Sequence, residues 1–254
     1  MLNFAIQTAR DAGRVLVDRL GRAIQITNKG DIDLVTEADI AAEHLIIERI
    51  QSYHPRHAIL AEESGETIRQ GDRSEWKWIV DPLDGTTNFA HGYPCFCVSI
   101  ALERAGVLQI GVIYDPMRDE LFAAERGQGA TLNNRSIQVS ETSDLNRALL
   151  CTGFPYDVRL REEFARHLHK FIMHAQGVRR DGSAALDLAY VACGRFDGFR
   201  EEGLNPWDVA AGVLLIEEAG GRVSRYDGNA FDIYTPPIVA SNGLVHDAMM
   251  HVLN

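Results

Sequence analysis

No apolar run in this chain approaches the ~20 residues needed to cross a bilayer, which excludes an ordinary transmembrane helix. The first twenty residues are interrupted by Gln7, Arg10, Asp11, Arg14, Asp18 and Arg19, so they lack the apolar centre of a secretory signal. A cytoplasmic location is expected. Cysteine is scarce, with 4 residues in 254. Cys95 and Cys97 stand two apart in an apolar run and would share one face of a strand, while Cys151 and Cys193 are remote from them. A zinc site shows closely spaced Cys or His pairs with partners at set intervals. Plain buried thiols, which behave as small hydrophobes, fit better. Basic residues are also in deficit, 25 Lys and Arg against 36 Asp and Glu. A net charge of -11 argues against nucleic acid as the main partner, because a phosphate backbone needs a basic face. Internal repeats, low-complexity stretches, a Pro/Ser-rich linker and a GxGxxG strand-loop-helix element are all missing.

What remains is an ordinary globular composition, 46% hydrophobic, in a chain long enough for one large domain or two lobes sharing a core. Residues 2–20 have the spacing of an amphipathic helix, with Leu2, Ile6, Ala9, Gly13, Leu16, Val17 and Leu20 on one face. Thr36-Glu37-Ala38-Asp39 is a capping-box pattern opening a second helix through Ile40, Ile46, Ile47 and Ile50. His57 to Ala61 and Lys77 to Val80 are short apolar runs followed directly by acids, the pattern of buried strands with carboxylates at their tips. From Cys95 to Val139 strands alternate with turns at Arg104–Val107, Asp115–Asp119, Arg126–Gly129 and Asn133-Asn134, predicting an antiparallel sheet. Beyond about residue 147 the rhythm becomes strand-helix alternation. A strand is expected at Leu149–Thr152, helices at Arg161–Ala175, Ser183–Cys193 and Trp207–Ala219, then a strand at Ile238–Ser241 and a last helix. Residues 1–146 are expected to form an α+β lobe carrying most of the acids, and residues 147–254 an α/β lobe packed closely on it.

The segment Trp78-Ile79-Val80-Asp81-Pro82-Leu83-Asp84-Gly85-Thr86-Thr87-Asn88-Phe89 carries most of the chemistry. A strand ending at Asp81, broken by Pro82 and turned by Asp84-Gly85, lets two carboxylates point at one centre. Backbone amides near Gly85 and Thr86 would be free to bind a phosphate oxygen. Taken alone, an Asp-Gly turn with an Asp cap explains the segment equally well. Glu62 alone reads as an exposed loop acid, and Asp208 as a first-turn acid favoured by the helix dipole.

Taken together, these segments resemble the inositol monophosphatase family. Glu62-Glu63-Ser64, Asp81-Pro82-Leu83-Asp84-Gly85-Thr86-Thr87-Asn88-Phe89 and Asn205-Pro206-Trp207-Asp208 followed by Ala210-Ala211-Gly212 match its signatures in order and spacing. Asp33 to Asp39 and Glu217-Glu218-Ala219-Gly220-Gly221 match flanking motifs. The resemblance implies a layered αβαβα sugar-phosphatase fold, α+β and α/β, with an antiparallel first sheet and a mixed second one. It implies that Glu62, Asp81, Asp84, Asp208 and the carbonyl of Leu83 ligate two or three Mg²⁺, with Asp39 and Thr86 paired beside the attacking water. Catalytic roles would fall on Glu62, Thr86 and Asp39. Substrate contacts would come from Asp84, Gly85, Thr86, Gly182, Ser183, Ala184, Asp208 and Glu201, with Glu202 as the neighbour that could replace Glu201. A plain helix cap is the other reading of Gly182-Ser183. Lys29-Gly30-Asp31 would be a flap or an ordinary turn.

Charge arithmetic supports the grouping. Two carboxylates ~4 Å apart repel by about 4 kcal/mol at an effective dielectric near 20, so several around a phosphate dianion require cations. An all-oxygen set without His or Cys selects Mg²⁺, or Mn²⁺ as a substitute, over zinc. The expected reaction is hydrolysis of a phosphate monoester by a metal-activated water without a phosphoenzyme, most simply inositol monophosphate to inositol and phosphate. Phe154-Pro155-Tyr156-Asp157 and the Trp207-Asp208 context favour that branch over fructose 1,6-bisphosphate, histidinol phosphate or 3'-phosphoadenosine nucleotides. A purely regulatory binding protein is disfavoured because all five acids and Thr86 are intact. The resemblance also implies lithium sensitivity and a homodimer. Cys95–Leu102 and Val107–Tyr114 could supply its apolar face, or could simply be core.

Overall fold

The computed structural model describes residues 1–21, 26–28, 34–67, 74–155, 159, 161–235 and 237–253. Lys29-Gly30-Asp31, Asp33 and Tyr156-Asp157 lie outside the described residues. In chain order the elements are α1 (Leu2–Val17), β1 (Ile26–Asn28), β2 (Leu34–Thr36), α2 (Glu37–Tyr53), β3 (Ala58–Ala61), β4 (Gly65–Thr67), β5 (Trp76–Asp84) and α3 (Thr86–Ala90). Then come β6 (Cys97–Arg104), β7 (Val107–Asp115), β8 (Glu120–Glu125), β9 (Ala130–Leu132), β10 (Arg135–Ile137) and β11 (Leu149–Thr152). The chain ends with α4 (Arg161–His174), β12 (Gly177–Arg179), α5 (Ala184–Ala192), β13 (Gly198–Glu201), α6 (Pro206–Glu218), β14 (Arg222–Ser224), β15 (Ile238–Ser241) and α7 (His246–Leu253).

An eight-stranded sheet runs β10-β9-β8-β7-β6-β5-β3-β4, and a five-stranded one β12-β11-β13-β15-β14. Period-two alternation in β6 explains why the large sheet is covered on both faces. Val98, Ile100 and Leu102 join the core under α1 and α2, whereas Cys97 and Ala101 join the core under α5 and α6. The second of these cores also takes Phe199, Ile238 and Ala240 from the small sheet, so α5 and α6 fill the space between the two sheets. A third cluster, with Phe171, Val239 and Met249, seals the outer face of the small sheet under α4 and α7. The layers therefore read α-β-α-β-α, as expected.

Several expectations change in detail. The large sheet is antiparallel except where β3 and β5 pair in parallel. α1 stops at Val17 and is followed by a turn over 18–21, short of the expected residue 20. In α2 the inward positions are Ala38, Ala42, Ile46 and Ile50, spaced by four; Ile40 falls on the opposite side and is 57% exposed. Cys95 precedes the strand instead of sharing it with Cys97. All four cysteines are free, with Cys95, Cys97 and Cys151 buried. The segments Cys95–Leu102 and Val107–Tyr114 are largely core: β6 and β7 are central strands, and Val107 is the conspicuously exposed apolar residue among them.

α7 begins with a buried histidine. His246 Nε2 faces Ser224 Oγ at 2.8 Å and its Nδ1 faces Ser241 Oγ at 2.9 Å. Burial, helped by Arg222 and opposed by Asp247, pushes its pKa from 6.5 down to about 4. The unfolded chain thus binds a proton that the fold refuses, and stability is lost as pH falls from 6.5 towards 4. The wild-type protein should lose roughly 1.4 kcal/mol per pH unit from this group within that window. His246→Gln should flatten the slope in denaturant melts at pH 7, 6 and 5. Parallel slopes for the two proteins would remove His246 as the cause.

Candidate active site

Asp81 and Asp84 are three residues apart, and in a regular strand they would point to opposite faces. The pairing of β5 with β6 shows why they do not. Asp81 stands opposite Ser99 and Asp84 opposite Cys97, so three steps on β5 match two on β6. That extra residue is a β-bulge, which restores the two carboxylates to one side. Pro82 lies within it, where a missing N–H does not cost a ladder bond. The strand therefore does not end at Asp81, as expected from Pro82, but runs on to Asp84. Leu83 N–H donates to Asp81 Oδ1 at 3.0 Å and fixes the bulge from inside. Gly85 follows at φ 100°, a conformation that side chains resist, and its Cα lies so close to Cys95 O that a Cβ would meet it at 2.9 Å.

Asp208 arrives from the other side. Asn205 caps α6, Pro206 opens it, and Asp208 accepts from the Asn205 N–H at 2.7 Å in a capping box. One ligand-competent oxygen from each of Asp81, Asp84 and Asp208 lies within 4.8 Å of the others. Asp81 is 1% and Asp84 8% exposed, and among the described residues no Lys or Arg forms an ion pair with any of the three. Burial raises the pKa of Asp81 well above its usual value, and Glu62, Asp84 and Asp208 add to it. Burial and Asp84 do the same to Asp208. Asp84 is raised less because Ser183 Oγ and the Ala185 N–H donate to its Oδ2, at 2.5 and 2.8 Å.

The remaining residues singled out in the sequence gather around this group. Glu62 follows β3, whose Ala61 pairs with Val80, so its charge is felt by Asp81 although it stands outside the close trio. Asp39 is the third residue of α2 and closes its capping box, accepting from the Thr36 N–H and hydroxyl. Its other oxygen faces Thr86 Oγ1 at 3.0 Å, and Thr86 Oγ1 is also 3.0 Å from the Leu83 carbonyl. Asp84, Gly182, Ser183, Ala184, Glu201 and Asp208 line one cavity. Glu202 does not. It is held by Arg200 at 3.1 Å and by His167 at 3.0 Å, away from the cavity.

Four residues of the cavity were not singled out in the sequence: Gly153, Arg180, Asp187 and Leu204. Gly153 matters through what it lacks, since a Cβ there would fall on the Glu201 carboxylate, which its backbone holds. Glu201 is pushed up to about 8, by burial first and with Asp84 contributing, against Arg180 and Arg200. Asn88 is a second omission within a motif that was recognised. Its Nδ2 donates to Cys95 O at 2.7 Å and Asp181 O at 2.8 Å, pinning the turn before α5 to the turn after β5.

With this geometry in hand, the similarities to known proteins are specific. A sequence model of the inositol monophosphatase family matches residues 1–253. An inositol-1-monophosphatase of Synechocystis is 49% identical over 254 residues, covering 99% of this chain and 88% of that protein. The Nus factor SuhB of Escherichia coli K12 is 46% identical, covering 98% and 94%. The solved inositol monophosphatase of Anabaena superposes with a TM-score of 0.90 at 50% identity, covering 99% and 94%. An IMPase/NADP phosphatase solved in complex with Mg²⁺ and phosphate gives 0.83 at 25% identity, covering 96% and 91%. Fold and relatives together define a phosphomonoesterase. The chain belongs to the inositol monophosphatase family.

Proposed function

We propose that the protein hydrolyses inositol monophosphate to inositol and phosphate, with Mg²⁺ held by Glu62, Asp81, Asp84, Asp208 and the Leu83 carbonyl. One observation carries this reading: three carboxylates within 4.8 Å of one another, with no described Lys or Arg paired to them. A fold keeps such a group ionised only if cations compensate the repulsion. The donor set is all oxygen, which suits a hard ion. When bound, Mg²⁺ supplies Lewis-acid stabilisation of the phosphate and of the departing oxygen, and acidifies water.

The chain's own residues do the rest. Thr36 fixes Asp39, and Asp39 accepts the Thr86 proton, which leaves a lone pair on Thr86 Oγ1 turned to the attacking water. Glu62 takes the proton that the water gives up as it adds to phosphorus. Amides at Gly85 and Thr86 hold phosphate oxygens, and no side chain need be phosphorylated. Ser183 and Ala185 keep Asp84 from turning away. Glu201 and the Gly182–Ala184 backbone face the leaving group's hydroxyls.

Two or three ions, Mn²⁺ as a substitute and a cytoplasmic setting complete the reading; no described helix is long and apolar enough to cross a membrane. We treat residues 1–146 and 147–254 as two lobes, and expect a homodimer, for which light scattering should give twice 28.2 kDa. Phosphate release should be fastest with inositol 1-phosphate among esters that include fructose 1,6-bisphosphate, histidinol phosphate and 3'-phosphoadenosine nucleotides. It should require Mg²⁺ and fall with Li⁺ far more than with equal K⁺. A different best substrate would move the protein to another branch of the same chemistry, and no release from any ester would end the proposal.

A further inference from the structure

All nine residues of α5, Ala-Ala-Leu-Asp-Leu-Ala-Tyr-Val-Ala, are buried, and the only charged one is Asp187. It is 1% exposed, it lines the cavity beside Glu201 and Arg180, and its Oδ1 has no hydrogen-bond partner among the described residues. A first-turn acid is ordinarily favoured by the helix dipole, but that benefit does not require burial without a donor. An orphaned buried carboxyl oxygen is costly, and a fold retains it where something else supplies the donor. The neighbours do not. Asp181, Glu201 and Asp84 all bear on Asp187 as negative groups. Arg180, the cation of the cavity, lies over the Phe154 ring at 4.6 Å. No described residue supplies the missing donor, and the cavity that Asp187 lines is where a ligand could bring one.

We propose that Asp187 is a specificity-determining residue whose carboxyl oxygen accepts a hydrogen bond from a hydroxyl of the leaving group. This rests on the phosphatase reading above and narrows it: the cavity takes esters of polyhydroxylated alcohols in preference to esters whose leaving group has no hydroxyl to give. Glu201 and Asp187 then form two acceptors on one wall of the cavity, and Gly153 keeps the first of them in place.

The test compares inositol 1-phosphate with phenyl phosphate, which has the same phosphate but a leaving group without hydroxyls. The wild-type protein should favour inositol 1-phosphate strongly in kcat/KM, because a site built to bond a hydroxyl rejects analogues lacking it. Asp187→Leu, close in shape but without an acceptor, and Asp187→Ala should each shrink that ratio roughly tenfold or more, with the loss in KM before kcat. Neither should lower the melting temperature much, since Oδ1 has no partner to lose. Mono-deoxy inositol 1-phosphates assayed on the wild-type protein give the same answer without a substitution. One deoxy position should lose as much as Asp187→Leu, and the two changes together no more than either alone. A wild-type ratio near one would overturn the polyol reading and the role of Asp187 with it. A high wild-type ratio that both variants keep, or equal losses on both esters, would overturn Asp187 alone and leave the phosphatase reading standing.

Discussion

Asp84→Asn should lower turnover at least ~10²-fold, the scale of losing one preorganised charge-stabilising contact. The asparagine carbonyl can still accept from Ser183 Oγ and the Ala185 N–H, so the turn after β5 keeps its shape. What disappears is a negative charge within 4.8 Å of two others. Each such pair costs on the order of 3 kcal/mol at an effective dielectric near 20. Without Mg²⁺ the variant should therefore melt no lower than the wild-type protein. Phosphate release under saturating substrate and Mg²⁺, with melts in chelator, separates the two effects. A variant that turned over at the wild-type rate would place the metal-holding group elsewhere.

Thr86→Ala is the complementary case. It removes the hydroxyl bonded to Asp39, which we propose orients the attacking water, but touches none of the four carboxylates proposed to hold Mg²⁺. We expect a rate loss of ~10²-fold, as for other single orienting groups, with Mg²⁺ affinity by calorimetry nearly unchanged. Asp39 keeps both Thr36 bonds, so α2 should remain capped. A large fall in Mg²⁺ affinity would mean that Thr86 acts through the Leu83 carbonyl, its other neighbour at 3.0 Å, and not through the water.

The helices α1, α2, α4, α5, α6 and α7 were legible because their apolar spacing or capping residues are local. Thr36 to Asp39 and Asn205 to Asp208 both become capping boxes, as their order suggests. The hairpin turns were legible too, with Ala105-Gly106 and Asn133-Asn134 at positive φ. β13 was not. No strand was expected over Gly198–Glu201, yet all four residues are buried. Arg200 is tolerated there because Glu202, the Tyr226 hydroxyl and the Phe164 carbonyl each take one of its N–H groups and the Phe164 ring lies 4.5 Å beneath it. Most of that compensation comes from α4 and from the segment just after β14, too far along the sequence for a local pattern to show. In the site, Asp81 and Asp84 were visible as a pair, but the bulge that aligns them depends on β6. Gly153 and Asp187 were invisible for the same reason: one matters by the side chain it does not have, the other by the neighbours it does not find.

Asp84 belongs to the large sheet, while the two groups that grip it, Ser183 and Ala185, belong to the helix layer between the sheets. Asp208 rides on that same helix layer. The carboxylate trio is thus a rivet through two layers, and the spacing of its oxygens is a gauge of how those layers slide. A shear of an ångström between α5–α6 and β5 would leave both cores intact and the protein folded, yet would open the trio. Compounds that wedge between these layers could silence the enzyme without ever entering its cavity.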